Sequence, residues 1–229
     1  MSVPVVWKAA IFLLIVSVSG DILVGATVLP REGPTEDDLE AEFQPTREKL
    51  RRDAKANDAE AHYRLGETFH HRGDLKGAVE EYRAAIQLNP NFADAYRSLG
   101  TTLLDRHEWH DAVTALQTAI RLELHDAGTY YWLGRALMAQ ANWSEAAVAF
   151  QHTTQLSPDD AEAYADLGLV RMAQADPSGA VEALRRAVTL KPDNADTHYL
   201  LETVLTHQDD PNYLKAAAQR IFERLFARE

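Results

Sequence analysis

The sequence predicts an all-α chain: an α-solenoid of about four and a half helix-turn-helix units preceded by an apolar N-terminal helix. Three observations carry this prediction. A set of residue types recurs every 34 positions. Within each repeat the apolar residues fall at helical spacing in two runs separated by a turn. An uncharged apolar stretch stands near the start of the chain.

Composition sets the outer limits. The 229 residues include 23 Lys+Arg against 35 Asp+Glu, a net charge of -12, with 46% hydrophobic residues and no cysteine. Without cysteine, disulfide scaffolds, thiolate zinc sites, iron–sulfur clusters and thiol catalysis are excluded. The apolar fraction is too high for a disordered chain. An acidic chain repels phosphate backbones and no segment forms a basic arm, so nucleic acid is not an expected partner. Residues 211–229 are nevertheless positive, with 4 basic and 2 acidic side chains.

Residues 1–29 read as a transmembrane anchor or a signal peptide. The uncharged core Ala9 to Gly20 would reach about 18 Å as a helix, short of the roughly 30 Å hydrocarbon layer. Taken alone it suits a signal-peptide core, with Lys8 before it and Val18-Ser19-Gly20 or Val24-Gly25-Ala26 as cleavage sites. The competing reading runs one spanning helix through residues 3–29. Asp21 would then cost roughly 2.5–3.5 kcal/mol if central, against roughly 0.3–0.6 returned by each Ile, Leu, Val and Phe. The balance favours an uncleaved single-pass anchor with a cytoplasmic N-terminus and the repeats on the periplasmic or extracytoplasmic side. The alternative is a cleaved signal and an exported soluble domain.

Residues 30–58 form an acidic linker rich in Pro and Gly, with a leading helix from about Pro45-Thr46 to Ala56. Repeats follow at 59–92, 93–126, 127–160 and 161–194. Leu-Gly stands at Leu65-Gly66, Leu99-Gly100, Leu133-Gly134 and Leu167-Gly168, without insertion or deletion. Ala59, Ala93, Ala127 and Ala161 open the units, and a ring follows at His62, Tyr96, Tyr130 and Tyr164. Small residues recur at Ala78, Ala112, Ala146 and Ala180, and large apolar ones at Tyr82, Leu116, Phe150 and Leu184. Gly73-Asp74, Glu108, Asn142 and Asp176-Pro177 mark the turn between the two helices of each unit. The glycine column fits a close helix crossing, since a side chain there would push the paired helix away.

Residues 195–229 repeat the pattern imperfectly. Glu202 replaces the glycine, and a longer second helix begins at Asp209-Asp210-Pro211. An atypical terminal unit is what a capping element requires.

This column pattern closely resembles the tetratricopeptide repeat family over residues 59–194, and weakly over 195–229. The resemblance implies stacked helical hairpins whose first helices line a concave face that holds protein segments. Carried over position by position, it implies a partner-binding groove that includes Tyr63, Glu67, Arg97, Thr101, Tyr131, Arg135, Met138, Leu169, Met172 and Tyr199. The series runs from acidic through Arg97 and Arg135 to apolar residues, which suits an extended or helical peptide with an apolar anchor and a nearby carboxylate. Some relatives clamp a terminal carboxylate with lysine and asparagine; here those slots hold Tyr63, Glu67 and Ser98, which argues against that use.

Motifs for chemistry are otherwise missing. No zincin, nucleophile-elbow, phosphate-loop or dinucleotide fingerprint occurs. His70-His71 and the His107–His110 stretch are read as packing and turn residues rather than metal ligands. No catalytic residue, metal or cofactor is therefore expected. The expected function is a non-enzymatic scaffold or adaptor, membrane-tethered through residues 3–29, that holds a partner peptide or subunit and aids recruitment or assembly of an envelope complex. The alternative is an integral structural subunit of a membrane complex.

Overall fold

The computed structural model describes residues 43, 44, 47, 48, 51, 58–122 and 124–226. The apolar segment 1–29, the linker through residue 42 and most of the expected leading helix lie outside the described residues. Phe43, Gln44, Arg47, Glu48 and Arg51 have helical backbone. No helix among the described residues is long and apolar enough to cross a membrane.

Among the described residues, ten helices follow from Ala59. They are α1 (Ala59–His71), α2 (Leu75–Leu88), α3 (Ala93–Asp105), α4 (Trp109–Arg121), α5 (Ala127–Ala139), α6 (Trp143–Leu156), α7 (Ala161–Ala173), α8 (Pro177–Leu190), α9 (Ala195–His207) and α10 (Pro211–Phe226). Local chemistry sets most starts. Asp58, Asp126, Asp160 and Asn194 accept backbone N–H bonds at the first turns of α1, α5, α7 and α9. Asp74 and Asp176 do the same for α2 and α8 by accepting from Gly77 and Gly179. The amide of Tyr213 donates to Asp210 at 3.0 Å, and Pro211 fills the first position of α10, where an N–H has no partner to lose.

The odd and even helices pair as α1–α2, α3–α4, α5–α6 and α7–α8, and each even helix also packs on the next odd one. One continuous apolar core runs through the stack, from Leu65 and Phe69 to Val204 and Leu214. The glycine column explains the tightness of the pairs. A Cβ on Gly66, Gly100, Gly134 or Gly168 would come within 2.7 Å of Tyr82, Leu116, Phe150 or Leu184. The partner across the crossing is therefore chiefly the large column, which fills the space each glycine leaves open; the small column also borders it at Ala112, whose carbonyl oxygen lies 3.3 Å from that Cβ on Gly100.

The N-terminal end of the stack is closed by ions. Arg47 and Asp74, each 2% exposed, form a bidentate pair, with Nε donating to Oδ2 at 2.6 Å. Arg51 donates to Glu81 at 2.5 Å and to Glu80 at 2.6 Å, and Glu81 also meets His62 Nδ1 at 2.6 Å. His62 thus replaces a repeat tyrosine in order to reach a buried carboxylate.

The C-terminal end is closed differently. The last helix, α10, packs chiefly on α7 and only lightly on α9, so it does not complete a tight fifth hairpin. Glu202 occupies the glycine column of α9, and Ala218 stands where the large apolar column would fall. Both halves of the usual crossing are gone, and α10 settles elsewhere.

Candidate functional site

The expected groove residues all stand on the first helices of the units, and the structure divides them into three groups. In α1 and α3, Tyr63 Oη donates to Glu67 Oε1 at 3.0 Å and its ring lies 5.0 Å from that of Phe92. Arg97 Nη2 donates to Asp94 at 3.2 Å, while its Nε is buried without a hydrogen-bond partner. Thr101 Oγ1 turns back to the carbonyl of Ser98 at 3.0 Å.

The second group centres on α5 and α7. Arg135 Nη1 donates to Tyr131 Oη at 3.2 Å and lies 3.8 Å from Asp166 Oδ2. The Asp166 side chain is 17% exposed, and its Oδ2 is buried with no hydrogen-bond partner. Burial pushes the Asp166 carboxyl up to about 6, and the attraction of Arg135 and the nearby Tyr131 hydroxyl only partly oppose this. Burial likewise raises the Tyr131 phenol to about 12, assisted by the Asp166 charge. Asp166 was absent from the sequence expectation. Its column holds Arg64, Ser98 and Trp132 in the earlier units, so no repeat signal points to it.

The third group corrects the expectation. Met138 and Met172 are fully buried and belong to the core, whereas Leu169, 2% exposed, lines the pocket described below. Helical periodicity cannot separate an apolar groove position from a core position, because both lie on the inward-facing stripe. Tyr199 is the opposite case, at 59% exposure.

A pocket of about 340 Å³ joins α5, α7, α9 and α10. Tyr131, Arg135, Asp166 and Tyr199 line it, and Ile221 and Arg224 of α10 enter the same space. The charge of the pocket walls is acidic, since Glu162, Asp166 and Asp196 outnumber Arg135 and Arg224. A cationic or hydrogen-bond-donating group would satisfy the Asp166 oxygen. Among the described residues no three His, Asp or Glu side chains converge as a metal site requires.

This face of stacked two-helix units, built on a 34-residue period, is matched by family models. A TPR repeat model matches residues 66–105, and a tetratricopeptide repeat model matches 97–161 and 133–195. The chain belongs to the tetratricopeptide repeat family. No curated protein matches it by sequence. Among solved tetratricopeptide structures, YrrB, a TPR protein with an unusual peptide-binding site, superposes with a TM-score of 0.64 at 17% identity, over 82% of this chain and 93% of that chain. MamA superposes with a TM-score of 0.61 at 25% identity, over 72% and 98% of the two chains. A MamA fragment from Desulfovibrio magneticus RS-1 gives 0.63 at 21% identity, over 73% and 94%. The YrrB and Desulfovibrio likenesses speak for the fold alone. A tetratricopeptide fold suggests a scaffold for protein–protein interaction, and the neighbours include a peptide binder.

Proposed function

We propose that the chain is a non-enzymatic scaffold that holds a protein segment along the face of its first helices, tethered to a membrane through residues 3–29. The observation that carries the binding face is a pair of half-buried arginines, Arg97 with a buried Nε that has no hydrogen-bond partner and Arg135 against the Tyr131 hydroxyl. Arg97 and Arg135 are partly buried on adjacent repeats, Arg135 beside Tyr131 and Asp166. Such arginine–aromatic clusters supply a disproportionate share of binding energy, because their fixed planar groups lose little entropy on contact. Tyr63, Glu67, Arg97 and Thr101 stand on α1 and α3, away from the main contacts of α10, and Tyr131 and Arg135 continue the face toward the pocket.

The tether is supported by sequence alone. The apolar run from Ala9 to Gly20 follows Lys8 and precedes an acidic stretch, which places the positive charge on the retained side and exports the repeats. In this arrangement the repeats recruit or assemble components of an envelope complex.

The test is partner capture with the full chain against an Arg97→Ala, Arg135→Ala double variant. The variant should keep its helical circular dichroism and lose the polypeptides that the wild type retains after cross-linking. An unchanged set would remove the arginine face from consideration. N-terminal sequencing decides the tether: a retained start with detergent-dependent solubility supports the anchor, and a start near Asp21 supports export.

A further inference from the structure

The last helix is the part of the molecule that the proposed function leaves without a role. α10 carries a complete amphipathic stripe, Leu214, Ala217, Ala218, Ile221 and Phe222, at the spacing of one helix face. That stripe lies on α7, and Phe222 meets the ring of Trp143 edge-on at 5.4 Å. In the earlier units the second helix of a hairpin seats against its own glycine-bearing partner. Here Glu202 removes that seat, and α10 lies instead where the face of the first helices offers an apolar floor.

Charge agrees with shape. Without α10, the pocket walls carry Glu162, Asp166 and Asp196 against Arg135 alone. The helix that covers it carries Lys215, Arg220 and Arg224 against Glu223 in a chain whose net charge is -12. Arg224 lines the pocket itself, and Arg220 lies on the exposed side with its guanidinium 5.8 Å from the ring of Tyr213. The Asp166 oxygen within this pocket still has no hydrogen-bond partner when α10 is seated. This oxygen is the polar group of the pocket that a donor on an incoming helix would satisfy.

We infer that the C-terminal half of this face is a site for a cationic amphipathic helix, that α10 is its built-in occupant, and that a partner helix of the same pattern takes its place. The inference rests on the proposed binding face and names the class of partner for its C-terminal half. The opposite ligand class, a carboxylate-bearing peptide expected from the sequence, faces three carboxylates here and is disfavoured by charge.

The probe is a fluorescein-labelled peptide with the sequence of residues 209–226, titrated by fluorescence anisotropy against full-length protein. The comparison is between the wild type and an Ile221→Glu, Phe222→Glu variant, in which α10 cannot stay seated. The peptide should bind the variant at least ten times more tightly than the wild type, whose site is already filled. Adding Glu162→Gln and Asp196→Asn, both at exposed positions, should weaken that binding at least tenfold while the helical circular dichroism is retained. A peptide with Lys215, Arg220 and Arg224 changed to Glu should not bind. Equal affinity for wild type and variant would place the peptide elsewhere and overturn the inference. So would a variant that melts without its cooperative transition, because α10 would then be a permanent part of the core. Hydrogen exchange provides a reading that needs no variant: saturating peptide on the wild type should deprotect the α10 amides and no others. The two proposals fail separately. Partner capture by the released variant without peptide binding would leave the binding face standing and sink this inference. Peptide binding together with unchanged capture by the Arg97→Ala, Arg135→Ala variant would do the reverse.

Discussion

The turn inside each repeat forces one residue into left-handed backbone, and only the first repeat supplies a glycine. Gly73 has φ 82°, while His107, Ala141 and Ala175, each 34 residues further on, have φ 60°, 56° and 59°. The cause is the helix end. The amides of Asp74, Glu108, Asn142 and Asp176 reach back to the carbonyls of Phe69, Leu103, Leu137 and Arg171 at 2.9–3.0 Å, the six-to-one bond that requires a left-handed residue before it. A side chain in that conformation costs about 1–2 kcal/mol, of which glycine gives back about 0.5–1 through its greater freedom when unfolded. Ala141→Gly and Ala175→Gly should therefore each stabilise by about 0.5–1 kcal/mol. His107→Gly should gain less, because the His107 ring meets Trp109 edge-on at 4.8 Å and that contact is lost. The sites lie one repeat apart and share no partner, so the triple variant should gain about 1–2.5 kcal/mol. For a chain of this size that is a rise in melting temperature of about 2–10 °C. The reverse change isolates the backbone effect: a Cβ on Gly73 would have nothing within 4 Å, so any loss in Gly73→Ala is conformational. Circular dichroism melts and urea titrations of the four variants provide the measurement. Destabilisation by Ala141→Gly, as in an ordinary helix interior, or a neutral Gly73→Ala, would refute the argument.

Three further outcomes follow from the packing and the charges. Gly134→Ala places a Cβ 2.7 Å from the fully buried ring of Phe150, so overpacking of about 1–3 kcal/mol should exceed the roughly 1 kcal/mol gained in helix propensity, giving net destabilisation in urea. Arg47→Met leaves Asp74 charged and buried, which should cost about 3–5 kcal/mol and appear first as faster hydrogen exchange in α1 and α2. Asp166 holds its proton more tightly when folded, at about 6 against an ordinary 3.8, so the folded state binds more protons between these values and stability falls as pH rises through that interval. Asp166→Asn should flatten the fall and stabilise at pH 7 by about 1–3 kcal/mol, with little effect at pH 4; equal gains at both pH values would count against the buried charge as the cause.

The repeat units are legible in sequence because each of their determinants is local. The glycine column, the aspartates at the helix starts and the alternating runs of apolar residues all act within one hairpin or between neighbours, so periodicity displays them directly. The placement of α10 is not local. Its apolar stripe would fit α9 as well as α7 by pattern alone, and only the joint loss of glycine at Glu202 and of bulk at Ala218 decides between them. The same reason hides the true chemistry of the C-terminal pocket. Met138, Leu169 and Met172 read as groove residues because their columns face inward, yet the structure buries them, and Asp166 becomes the distinctive polar group through burial that no single column announces.

The two ends of the solenoid are closed by different physics, and the difference decides which end can open. At the N-terminal end, withdrawing the leading segment would strip Arg47 from Asp74 and Arg51 from Glu81, breaking a bidentate buried pair and leaving Glu81 with His62 alone. No incoming helix replaces a bidentate buried pair unless it presents an arginine at the same place, so that closure is specific and hard to exchange. At the C-terminal end the contact is an apolar stripe with two alanines at its centre, an edge-on contact with Trp143 and one arginine at the rim of an acidic pocket. Apolar contact is non-directional, so another helix with the same spacing satisfies it equally well. An exchangeable closure on an acidic floor at one end and a fixed ionic closure at the other is the arrangement expected if the helical turns carrying Arg47 and Arg51 stay docked while the far end trades its own helix for a partner's.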